Sequence, residues 1–434
     1  MQLSFQCGTD ILSLDLPDGT AVYESQFPAP TEPAHRAVLH AARSPLGLPP
    51  LRDVLSTRRE GDVVVVVSDV TRPIPYARFL PSLLAEIEAA GVDRDEIVVL
   101  VATGMHRPST PAEREEMYGS VARDYRVVDH EAENDDCLVE LPGRSWSGAA
   151  VKLNRVYVEA GFRLVTGLVE PHFMAGFSGG RKSICPGLCS LETVCNFHGY
   201  AFLADPRACN GVLEGNPCHE EAVSVARLVP PDFSLNVVLN RDRQVVRAFA
   251  GDLTAAHRKA CEFVRDCACP PVQDEADVVV TSCGGYPLDA TFYQCVKGIV
   301  AAQPLVRRDG AVIAFAGCSE GIGGDEHVAL MRRYSGRWQE FLEDIAQPGV
   351  FTKDQWELQM QARVLEKIGQ DNLHFITDGL SEADLADCSV NGRHSAPGEV
   401  RAVAQDAIDH FAASNARFAA LPEGPYCTPV APAV

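Results

Sequence analysis

Three histidines, His106, His172 and His198, and one adjacent pair of cations, Arg181 and Lys182, are the residues whose types and spacing could do chemistry. Imidazoles titrate near working pH, so a pair on separate loops can take a proton from one side of a small molecule and supply one on the other. The stretch Gly176-Phe177-Ser178-Gly179-Gly180-Arg181-Lys182 joins three glycines and a hydroxyl to two cations. Glycines let backbone N–H groups approach an anion and the cations neutralise it, so the expected guest is a phosphate or carboxylate. A Walker A loop is excluded by spacing, and no GxGxxG opens a dinucleotide fold. Arg72, in Asp69-Val70-Thr71-Arg72-Pro73, offers a planar fork to an anion, or it braces the turn by pairing with Asp69. Tyr293 and Lys297 fall at i, i+4 on one helix face, with Gln294 beside them, and could hold a carboxylate. His130, His219, His257, His327 and His394 lack such support and read as background.

Parallel strands are what would position these groups. Val63–Val67 is an unbroken valine run, Phe79–Ala90 has a helical pattern ended by Gly91, and Ile97–Ala102 is a second apolar run. That is a βαβ unit. Further runs at Arg163–Val169, Asp277–Thr281 and Ala311–Ala316 each lead into polar, glycine-rich sequence, the last into Gly317–Gly324. In open α/β sheets ligands bind beyond the carboxyl ends of strands, so His106 and His172 should open onto one crevice. The expected fold is α/β: two domains, each with a mostly parallel sheet flanked by helices, and the active site in the crevice between them. Residues 1–270 form the expected N-terminal cofactor-binding and catalytic domain, and 275–398 a C-terminal α/β domain contributing substrate-site residues. Within 399–434, an amphipathic helix from Glu399 to Phe418 could close the second domain or return to the first, and the tail from Pro422 should be loosely ordered.

The chain has 434 residues, 46% of them apolar, long enough for two domains and in the range of globular proteins. With 59 acidic and 38 basic side chains the formal net charge is -21, the wrong sign for binding nucleic acid or an anionic membrane. A small anion requires local basic groups, and Arg72, Arg107, Arg181, Lys182 and Lys297 are expected to ring one crevice. The first residues lack the charged and apolar regions of a signal peptide, so a cytoplasmic protein is expected and its 15 cysteines should be thiols, mostly packed inside. Their spacings fit no zinc framework.

Together, SDVTRPIP (Ser68 to Pro75), TGMHRP (Thr103 to Pro108), EPHFMAGFSGGRKSICPG (Glu170 to Gly187), NFHG (Asn196 to Gly199) and YQCVKG (Tyr293 to Gly298) closely resemble the lactate racemase family, enzymes that use a nickel-pincer nucleotide. The resemblance implies a racemase or epimerase of 2-hydroxy acids, an isomerase acting on lactate or a similar short-chain acid. It implies that Lys182 is joined covalently to the pyridinium-3-thioamide-5-thiocarboxylic acid mononucleotide. His198 would be the protein ligand of nickel, the cofactor supplying one carbon and two sulfurs. His106 and His172 would be the acid/base pair. Asp69, Thr71, Gly176, Ser178, Gly179, Gly180 and Arg181 would cradle the nucleotide, and Arg72, Tyr293, Gln294, Lys297 and Trp356 would surround the substrate. By this implication hydride leaves the substrate for the cofactor ring, a 2-keto acid forms and turns over, and hydride returns to its other face. Implied partners are the small substrate and, transiently, proteins of cofactor biosynthesis. Alternatives within the family are dicarboxylic, aromatic or sugar-like substrates; outside it, a nicotinamide-dependent 2-hydroxyacid oxidoreductase.

Overall fold

Val63 to Val67 are wholly buried, and a strand apolar at every position is stable only with both sheet faces covered. In the computed structural model, which describes residues 1–430, Val63–Ser68 lies mid-sheet, paired in parallel with Ile97–Ala102 on one side and Phe162–Leu168 on the other. The sheet order is Val245–Gly251, Phe233–Leu239, Phe162–Leu168, Val63–Ser68, Ile97–Ala102, Arg126–Asp129. Only the Val245–Gly251 edge strand is antiparallel to its neighbour. From Val63–Ser68 the chain builds outward through Ile97–Ala102 to Arg126–Asp129, then lays Phe162–Leu168 on the opposite side. The strand order therefore reverses beside Val63–Ser68, a topological switch point where loops diverge and leave room for a ligand. Helix Leu80–Ala89 covers the sheet with Leu80, Leu83, Leu84 and Ile87. These elements belong to a compact unit made of Phe27–His198 and Val212–Arg265.

The other unit comprises Met1–Gln26, Gly199–Gly211 and the chain from Asp266 onward. Its sheet is entirely parallel, in the order Asn391–His394, Leu373–Thr377, Val306–Phe315, Ala276–Ser282, Phe418–Leu421, Ala21–Val22. The hairpin Gln2–Cys7/Asp10–Asp15 packs Phe5, Leu12 and Leu14 into its core, Phe5 meeting Phe315 edge-on at 5.4 Å. Helix Val400–Ala412 buries Val400, Ala404, Ala407 and Ile408 in the same core and so lies in this unit. It stops short of Phe418, which begins a sheet strand instead.

The tail is more ordered than its prolines suggest. Thr428 N–H donates to Ala268 O and Val430 N–H to Pro270 O, and Cys427 just before them is buried; 431–434 lie outside the described residues. All 15 cysteines are thiols, and all but Cys137, Cys195, Cys209 and Cys267 are buried. Among the described residues no helix is long and apolar enough to cross a membrane.

Candidate active site

The chain leaves the central strand at Ser68, whose backbone is held by two buried tyrosines. Ser68 N–H donates to Tyr76 Oη (2.8 Å), and Tyr118 Oη–H donates to Ser68 O (2.8 Å). The next residue, Asp69, is buried. Its Oδ1 accepts from the Thr71 hydroxyl (2.6 Å), and its Oδ2 lies 2.6 Å from His106 Nδ1. A carboxylate only accepts, so Nδ1 carries the proton and Nε2 is left as the basic nitrogen. Burial pushes the Asp69 carboxyl up, but the His106 hydrogen bond and charge, the Thr71 hydroxyl and the Arg72 guanidinium outweigh it. The group sits below the usual carboxylate range. The His106 side chain is 56% exposed, so a small molecule can reach it.

His172 is held the opposite way. Its Nδ1 accepts from the backbone N–H groups of Met174 (3.2 Å) and Ala175 (3.3 Å), which places the neutral ring's proton on Nε2. After it comes the glycine-rich loop, closely fitted to its surroundings. Gly176 has φ of 78°, and a Cβ there would lie 2.0 Å from Val212 O. Gly180 N–H donates to Asn236 Oδ1, and the Ser178 hydroxyl to Leu168 O.

Arg181 does not project as an anion receptor. It is buried, donating through Nη1 to Phe177 O (2.8 Å) and through Nη2 to Ala175 O (2.7 Å), with Nη1 2.9 Å from His257 Nε2. His257, which the sequence left as background, is thus a brace of this loop. Arg107 is spent elsewhere, in an exposed ion pair with Glu113 at 2.5 Å. Arg107 and Arg181 are thus engaged within their own segments, because a loop sequence does not reveal which way its cations turn.

Lys182 is partly buried, its ammonium 5.0 Å from the Phe197 ring centroid. Burial first, then the charges of Arg72 and Arg181, push it down to about 7, so much of it is a neutral, nucleophilic amine at neutral pH. Arg72 lies 3.8 Å from Glu170 of the adjacent strand's loop. His198 ends helix Leu191–Phe197 and donates Nδ1–H to Val194 O at 3.0 Å, which orients the ring and leaves Nε2 as its acceptor nitrogen. Burial, then the Lys182 charge, push it down to about 3, so it stays neutral, the form that binds metal. Among the described residues no group of three or more His, Cys, Asp or Glu could hold a metal. A metal on His198 would have to arrive with its other donors.

The remaining candidates lie in the second-sheet unit. Helix Phe292–Ala302 starts where Gly321 O and Ile322 O accept from Phe292 and Tyr293 N–H, so the glycine-rich segment after Val306–Phe315 caps it. Lys297 Nζ donates to Gln294 Oε1 at 2.5 Å. Trp356, on helix Gln355–Ile368, donates Nε1–H to Tyr293 Oη (2.9 Å), which in turn donates to Asp354 Oδ1 (3.4 Å). His327 meets the Tyr293 ring edge-on at 4.9 Å. Asp354, His327 and the buried Glu357 were not singled out from sequence.

Two α/β units are present, one of them bearing a histidine held by a buried carboxylate after a parallel strand, a lysine pushed down to about 7 and a neutral histidine at a helix end, groups suited to acid/base and nucleophilic chemistry. The chain matches the lactate racemase N-terminal domain over residues 7–211 and the lactate racemase C-terminal domain over 272–424. It is 38% identical over 331 residues to the lactate racemase of Thermoanaerobacterium thermosaccharolyticum, covering 76% of each chain. To that of Lactiplantibacillus plantarum it is 37% identical over 325 residues, 74% of this chain and 75% of that protein. The lactate racemase apoprotein structure from T. thermosaccharolyticum superposes with a TM-score of 0.87 at 31% identity over the whole of both chains. A Thermotoga maritima protein shares the fold at TM-score 0.64 and 17% identity, covering 88% of this chain and 96% of its own. This chain belongs to the lactate racemase family.

Proposed function

We propose that the protein is an isomerase that racemises a short-chain 2-hydroxy acid, lactate or a close relative, with a nickel-pincer nucleotide joined to Lys182. The observation that carries this reading is the 2.6 Å contact of buried Asp69 with His106 Nδ1, which leaves Nε2 as the basic nitrogen of an exposed imidazole.

The side chains fit such a cofactor. Lys182 supplies an amine largely neutral at neutral pH, and His198 a neutral ring with Nε2 as acceptor. When bound, the nucleotide supplies the hydride-accepting and hydride-donating chemistry that a weakly acidic α-C–H beside a carboxylate requires. Acid/base work falls to the chain itself. His106 Nε2 takes the hydroxyl proton, the Asp69 carboxylate steadies the resulting imidazolium, and His172 presents Nε2–H from the other loop. Arg72, Gln294 and Lys297 bind the substrate carboxylate, Tyr293 and Trp356 forming a hydrogen-bonded wall.

Protein made in a host that synthesises the cofactor should carry an adduct on Lys182, seen by intact mass and absent from Lys182→Ala. The nickel-loaded enzyme should interconvert the enantiomers of lactate or another short 2-hydroxy acid in a panel that includes dicarboxylic, aromatic and sugar-like acids. Stoichiometric release of a keto acid with added nicotinamide cofactor, and no adduct, would overturn the proposal.

A further inference from the structure

Helix Gln355–Ile368 packs against helix Phe292–Ala302 and brings Glu357 toward Lys297. Glu357 is 2% exposed, and its Oε2 has no hydrogen-bond partner. A carboxylate in that setting is strongly disfavoured relative to the uncharged acid unless a cation comes to it. The groups around it are Lys297 and Tyr293 on the facing helix, Asp354 just before its own helix, and His327 on helix Asp325–Arg333, edge-on to Tyr293. Lys297 is the cationic side chain among them, since burial pushes His327 down to about 4.

We propose that Glu357 positions Lys297 through its own charge state: as the uncharged acid it leaves the ammonium with Gln294 and the substrate carboxylate, and as the carboxylate it draws the ammonium away. This rests on the reading that Lys297 binds the substrate. Burial first, opposed by Lys297 and helped by Asp354, pushes the Glu357 carboxyl up to about 8. The acid therefore prevails at neutral pH, and the carboxylate above about 8.

The test compares the loaded wild-type enzyme with Glu357→Gln, an isosteric stand-in for the uncharged acid, across about pH 6 to 9. Wild-type KM should rise roughly fivefold from pH 8 to 9, as expected when one ionisation abolishes binding, with kcat changing less. Glu357→Gln should keep the neutral-pH KM within about twofold and lack the alkaline rise. An unchanged alkaline rise in Glu357→Gln would overturn the proposal. In cofactor-free wild-type protein, a protonated-carboxyl infrared band should titrate away, with the Lys297 Nζ nitrogen-15 resonance moving in parallel. No such band at neutral pH, or a Lys297 signal that ignores its loss, would also overturn it, even if Glu357→Gln does not fold. Loss of the band and the Lys297 shift together, in a protein that turns over no 2-hydroxy acid, would uphold the coupling and remove the proposed function alone.

Discussion

At the scale of single residues, what separates His106 from His172 is the partner of Nδ1. Asp69 accepts from one ring and backbone amides donate to the other, so the two neutral tautomers are opposite. Asp69→Asn can present its amide N–H to Nδ1, which moves the ring proton to Nε2 and removes the base. We expect kcat to fall by about 10²–10⁴ with a smaller change in KM, measured on the loaded enzyme. Acid stability should respond as well. Folding holds the Asp69 carboxyl below its usual range, so its contribution is present above the unfolded-state value and is lost as pH falls through the folded one. Wild-type protein should therefore lose stability below about pH 4 more steeply than Asp69→Asn, followed by fluorescence during acid titration. The histidines themselves were legible in sequence, from residue type and from their place after apolar runs. Their pairing was not: Asp69 and His106 are 37 residues apart and meet because Ser68 and Ala102 are in parallel register.

Elements were legible where burial leaves a period or an unbroken apolar run, as in Val63–Ser68, and obscure where tertiary packing decides. Nothing local distinguishes Arg181 turned inward from Arg181 turned toward a phosphate, and the helical pattern after Glu399 does not show that Phe418 joins a sheet. Gly298, the last residue of YQCVKG, shows what packing adds. A Cβ there would lie 2.8 Å from Ser282 O and 2.9 Å from Cys283 Cα, both backbone atoms that cannot give way like a flexible side chain. The helix carrying Tyr293, Gln294 and Lys297 is seated on the end of strand Ala276–Ser282 through that glycine. Gly298→Ala should push the helix outward, destabilise the fold by about 1–3 kcal/mol in denaturant melts, and raise KM more than it lowers kcat by moving Lys297.

For the molecule as a whole the net charge of -21 sets the distant field, while the proposed site depends on close cations. Arg107 is paired with Glu113 and Arg181 is turned into its own loop, so neither projects a positive potential outward. A small anion therefore approaches against the overall field, and its proposed capture falls to short-range cations such as Arg72 and Lys297. Screening by salt acts over about 10 Å at 0.1 M, and it weakens the distant repulsion before it weakens partly buried contacts. The second-order rate constant kcat/KM for an anionic 2-hydroxy acid should therefore rise, by up to a few-fold, as ionic strength increases from about 10 to about 100 mM. It should level off or turn down only beyond that range. A nickel-loaded enzyme whose kcat/KM instead fell steeply from the lowest salt would have its capture governed by a long-range positive field, contrary to a net charge of -21.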